Sequence, residues 1–102
     1  SPDSLIGDTG LLEIKTALPH LLGDMILQDA FPAEHVAQTQ GQLWVTGRDW
    51  VDLIVYWPGM PRFIKRAGRD EAYIANLATA VDQFNFELDA MVQKILAYGE
   101  AA

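Results

Sequence analysis

Asp3, Glu13 and Lys15 are the residues of this sequence best suited to do chemistry together. Glu13 and Lys15 are spaced i, i+2, so on a β-strand they project from one face, while Leu12 and Ile14 turn the other way, toward a core. A hairpin over the first fifteen residues, turned at Gly7-Asp8-Thr9-Gly10, sets Asp3 across from Lys15. The expected connection is a three-residue loop, Asp8 to Gly10, with Gly10 left-handed. Two carboxylates in one patch repel unless a positive charge sits between them. A hard divalent cation answers that need. Mg²⁺ takes oxygen ligands at about 2.0–2.1 Å and commonly uses one or two carboxylates plus waters and substrate phosphates. Beside it a lysine can orient or deprotonate an attacking water, and the metal polarises the phosphate under attack. The same spacing also fits an exposed Glu-x-Lys ion pair of small worth. A glycosidase acid/base pair of Asp3 and Glu13 is the weaker alternative, because it gives Lys15 no role.

The elements that must position these residues follow from the pattern. Residues 1–7 and 11–15 form the hairpin strands. Leu18, Leu21, Leu22, Met25 and Ile26 recur at helical spacing after Pro19, which can open a helix. A second helix starts at Phe31-Pro32-Ala33-Glu34 and ends at Gly47. In it Ala33, Val36, Ala37, Leu43 and Trp44 share one face, and His35, Gln38 and Gln42 the opposite one. Trp50 to Trp57 is a strand rich in β-branched and aromatic residues, apolar enough to imply cover on both faces. Pro58-Gly59-Met60-Pro61 is a turn, and Arg62 to Arg66 a further strand, at an edge or antiparallel to 50–57. Asp70 to Tyr98 is a long amphipathic helix whose apolar stripe is core or a subunit contact, with Gly99 at its expected stop. The order β-β-α-α-β-β-α is that of an α/β layer protein with a small mixed sheet.

Composition bounds the rest. A chain of 102 residues, 50% hydrophobic, builds one core and is not disordered. No apolar run reaches the roughly 18–20 residues of a membrane span, and Ser1-Pro2-Asp3 is no signal peptide. The absence of cysteine excludes disulfides, thiolate metal sites and a thiol nucleophile, and is compatible with a cytoplasmic location. The net charge of −7 argues against holding nucleic acid by bulk charge alone. Yet Arg48, Arg62, Lys65, Arg66 and Arg69, opposed only by Asp49 and Asp52, give the stretch 48–69 a charge of +3. That stretch is either a solvated loop or a local patch for a phosphate backbone.

Ser1-Pro2-Asp3 followed by Leu12-Glu13-Ile14-Lys15 resembles the PD-(D/E)xK nuclease signature. The segment 36–47, from Val36-Ala37-Gln38 to Trp44-Val45-Thr46-Gly47, is similar to the glutamine helix of lambda-exonuclease and YqaJ-type phage recombination nucleases. Arg69-Asp70-Glu71-Ala72-Tyr73 resembles the start of their last helix. The likeness runs from residue 1 to about 90.

The resemblance implies the C-terminal part of a restriction-endonuclease-like core, lacking a preceding half that carries further residues for the 5′ phosphate. It implies a Mg²⁺-dependent deoxyribonuclease, with Mn²⁺ as a substitute, that digests linear double-stranded DNA 5′→3′ and leaves 3′ strands for a single-strand annealing protein. It further implies a ring-shaped homotrimer of the intact protein. Asp3, Glu13 and the Ile14 carbonyl would be metal ligands, Lys15 the catalytic lysine, and Gln38 a group positioning the water or the lysine. Ser1 and His35, the latter where the family often has tyrosine, would touch DNA phosphate. From the charge pattern, Arg62, Lys65 and Arg66 would line the DNA path. Two alternatives stay open: a structure-specific endonuclease on the same core, and a non-catalytic fragment that assembles a recombination complex.

Overall fold

The computed structural model describes residues 2–101, in two compact units that divide after Asp70. In the first unit β1 (Ser4–Ile6) and β2 (Gly10–Thr16) form the opening hairpin. Helices α1 (Pro19–Gln28) and α2 (Val36–Thr46) follow, the second entered through a 3₁₀ turn at Ala33–His35. The strands β3 (Trp50–Tyr56) and β4 (Phe63–Gly68) close the unit. The sheet order is β1-β2-β3-β4. β2 and β3 run parallel, and both outer pairs are antiparallel. The parallel pair requires a crossover, and α1 and α2 make it.

The helices start and stop where local chemistry says they should. Pro19 sits at the opening of α1, where its missing N–H costs nothing. Gly47 closes α2 in a left-handed conformation (φ 70°), and its N–H donates to the Leu43 carbonyl. Between β3 and β4, the Met60 N–H donates back to the Trp57 carbonyl around Pro58 and Gly59, and Gly59 takes φ 82°. That is the type II pattern of proline then glycine.

One face of the sheet carries the core. Leu22 of α1 packs with Leu53, Val55 and Phe63, and Leu43 of α2 packs with Leu11 and Val51. On the other face, Ile14, Ile64 and Tyr56 are exposed, so the helices of this unit cover β3 on one side and not on both, as its apolar sequence had suggested.

Three local expectations are corrected. In the hairpin, Ile6 pairs with Gly10, so the loop is Gly7 to Thr9 and the left-handed residue is Gly7 (φ 54°). Gly10 is needed for a different reason: a Cβ there would lie 2.3 Å from the Trp50 ring. The faces of β2 are also the reverse of the simple pattern. Leu11 and Glu13 are buried against the helices, and Ile14 faces out.

The second unit is the single helix α3 (Glu71–Ala101). It runs through Gly99 rather than stopping there. One glycine costs a helix about 1 kcal/mol and does not terminate it unless a left-handed cap forms.

Candidate active site

The site is centred on Glu13, which is 3% exposed. A carboxylate so far from water must be paired or neutralised. Lys15 supplies the charge, with Nζ 3.3 Å from Glu13 Oε1. Gln42 supplies the hydrogen bond, its Nε2 donating to Glu13 Oε2 at 2.8 Å. Lys15 shares the strand face of Glu13, as the i, i+2 spacing requires. Gln42 arrives from α2, which packs on that same face through Leu43. The other amide atom of Gln42, Oε1, is buried without a hydrogen-bond donor among the described residues. An unpaired acceptor beside a buried ion pair marks a place for a donor such as a water molecule.

Asp3 is brought in by the hairpin. Its N–H donates to the Leu12 carbonyl at 3.1 Å, and its Oδ2 accepts from the Ile14 N–H at 2.7 Å. Asp3 therefore sits beside Leu12 to Ile14, closer to Glu13 than the placement opposite Lys15 that the expected loop gives. Neighbouring N–H and C=O groups of one strand residue point to the same edge. The Ile14 carbonyl thus faces the edge where β1 begins only at Ser4, opposite Leu12. An exposed carboxylate, a buried one and an edge carbonyl are all hard oxygen donors, the set that suits Mg²⁺ or Mn²⁺. No group of three or more His, Asp or Glu side chains gathers among the described residues, so waters or phosphate oxygens would complete such a shell.

The remaining sequence candidates are scattered. Gln38 is exposed on α2, one turn before Gln42. Gln40 is buried and ties α2 to the end of β4: its Nε2 donates to the Gly68 carbonyl and its Oε1 accepts from the Asp70 N–H. His35 lies at the head of α2 with Nε2 3.7 Å from Glu34 Oε1, and its carbonyl accepts from the Thr39 hydroxyl. Ser1 lies outside the described residues. Gln42 is the residue that face assignment missed. The signal was Leu43: with Leu43 inward, its neighbour Gln42 and the residues one turn back, Thr39 and Gln40, turn inward with it.

Most of the basic stretch is engaged within the chain. Arg48 Nη1 donates to the carbonyls of Gly7 and Gly10, bracing the hairpin. Arg69 Nη1 donates to the carbonyls of Leu43 and Arg48. Lys65 pairs with Asp29 at 2.7 Å. Arg66 grips Asp52 through two hydrogen bonds and lies 3.7 Å above the Trp50 ring. The Asp52 hydrogen bond raises the Arg66 pKa above its ordinary value. Arg62 is exposed, with no ion pair among the described residues.

No family model matches the chain. No curated protein matches it either. Solved structures do. An alkaline exonuclease from Laribacter hongkongensis, LHK-Exo, is 37% identical with a TM-score of 0.83. The match covers 93% of this chain and 51% of that one. The same exonuclease in complex with dAMP gives a TM-score of 0.82 at the same identity and coverage. The chain thus spans about half the length of its relative and shares its α/β fold. At 37% identity over 93% of its residues, the chain belongs to the lambda-exonuclease-like group of alkaline exonucleases.

Proposed function

We propose that this chain is the catalytic half of a metal-dependent exonuclease acting on linear double-stranded DNA. The observation that carries the reading is Glu13, buried between Lys15 and Gln42 on the strand whose Ile14 N–H donates to the Asp3 carboxylate, in a chain related to an alkaline exonuclease. Asp3, Glu13 and the Ile14 carbonyl would hold Mg²⁺, which supplies Lewis-acid polarisation of the scissile phosphate and a nucleophilic water. Lys15 is placed to orient that water as an ammonium, or to take its proton as the neutral amine. Gln42 fixes Glu13 through Nε2 and offers Oε1 to the water, a role that suits Gln42 better than the exposed Gln38. Release of 5′ nucleotides, leaving a 3′ strand for a single-strand annealing protein, belongs to the same reading.

The test is a digest of 5′-phosphorylated linear duplex by this chain, with Mg²⁺ against EDTA and with Glu13→Ala beside it. Metal-dependent loss of DNA that the variant lacks is the expected result. Absence of cutting removes catalysis from this half. Cutting of closed circular DNA turns the reading to an endonuclease.

A further inference from the structure

We propose that Lys15 is an exchangeable counter-ion: it competes with the divalent cation for Glu13 Oε1 and is released when the cation binds. The inference rests on the metal-dependent reading above and adds how Lys15 comes free to meet the water. The two partners of Glu13 divide its oxygens. Gln42 Nε2 holds Oε2 at 2.8 Å, and Lys15 Nζ stands 3.3 Å from Oε1. Charge-assisted N–H···O bonds run about 2.7–2.9 Å, so the lysine contact is loose. The neutral amide is the partner at full hydrogen-bond length.

The surroundings of the two partners decide which one can leave. Gln42 is 8% exposed, beside the wholly buried Leu43, and its own carbonyl accepts from the Thr46 hydroxyl. Withdrawing its side chain would strand a buried amide. The Lys15 side chain is 31% exposed. Its stem is flexible and its ammonium strongly hydrated, so Nζ can turn to water. Exchange therefore falls on Oε1. A buried carboxylate needs positive charge beside it, and either cation meets that need. Both on one oxygen repel each other. Lysine answers one carboxylate, whereas a divalent cation answers two. The Asp3 carboxylate, held by the N–H of the next strand residue, Ile14, supplies the second.

Mn²⁺ binding to the full chain without DNA, read from the loss of the free-ion signal in electron paramagnetic resonance, tests the exchange apart from cleavage. Lys15→Gln keeps a hydrogen-bond donor and removes the charge. It should bind Mn²⁺ about tenfold more tightly than the native chain, although it cuts DNA less well. Mn²⁺ should likewise raise its thermal midpoint more than that of the native chain. Adding Glu13→Gln should abolish the gain, because the competition is for the Glu13 carboxylate. Lys15→Arg keeps the charge, and therefore the pairing that the fold needs, but its planar fork grips a carboxylate more firmly. It should bind Mn²⁺ about threefold more weakly or worse. Circular dichroism shows which variants are folded. An affinity in folded Lys15→Gln equal to or below the native one overturns the proposal, as does a gain that survives Glu13→Gln. If Lys15→Gln does not fold, an unchanged affinity in Lys15→Arg overturns it. In each case Mn²⁺-dependent cleavage by the native chain leaves the nuclease reading standing. Binding by neither the native chain nor its variants overturns both.

Discussion

Glu13 is held by two unlike partners, and removing each should have a different effect. Lys15→Ala takes away the charge that pairs a buried carboxylate, and with it the proposed handling of water. Cleavage of linear duplex should fall by about 10²–10⁴-fold, while circular dichroism shows the fold retained; unchanged cleavage would remove Lys15 from the mechanism. Gln42→Ala strips a hydrogen bond from a buried ion and should cost about 1–3 kcal/mol in a urea melt. It should also lower cleavage far more than Gln38→Ala, since Gln38 is exposed and Gln42 touches Glu13. Equal effects of the two would separate Gln42 from the chemistry. At this scale the sequence was informative about type and less so about direction. Glu13 and Lys15 share a strand face as their spacing requires, whereas Asp3 meets the Ile14 N–H rather than standing opposite Lys15, and the glutamine that meets Glu13 is Gln42, because the packing of Leu43 sets the rotation of α2.

The elements hold the site through a few backbone contacts. Gly10 begins β2 with the Trp50 ring where a side chain would stand. Gly10→Ala should therefore destabilise the first unit by about 1–3 kcal/mol, the usual cost of overpacking, read as a lowered thermal midpoint. A melt unchanged by the substitution would mean that the ring moves aside freely. Arg48 adds to the same corner by binding the Gly7 and Gly10 carbonyls. These contacts fix the hairpin, and the hairpin delivers Asp3. The strands, both helices of the crossover and the turn at Pro58-Gly59 were legible from proline, glycine and periodicity, since these act locally. The hairpin register was not. Gly7 and Gly10 both suit a left-handed turn residue, and the Trp50 ring, forty residues away in sequence, decides between them.

Across the whole molecule, charge is the property that sequence position describes least well. The stretch 48–69 is basic, yet Arg48, Lys65, Arg66 and Arg69 are turned to carbonyls, to Asp29 and to Asp52. Arg62→Ala with Lys65→Ala should weaken duplex binding and flatten its salt dependence if these residues line the DNA path. An unchanged salt slope would assign Lys65 to its ion pair with Asp29 alone. Among the described residues no helix is long and apolar enough to cross a membrane, in line with the short apolar runs. The sequence by itself determined the element order, the α/β class and the pairing of Glu13 with Lys15 on one strand face, because alternation, helical spacing and turn chemistry are local rules. The tertiary structure alone decided which face of β2 is buried, which glutamine meets Glu13, and which cations are already paired. Those outcomes depend on what α2, β3 and β4 bring against each residue from far along the chain, and no local spacing encodes that.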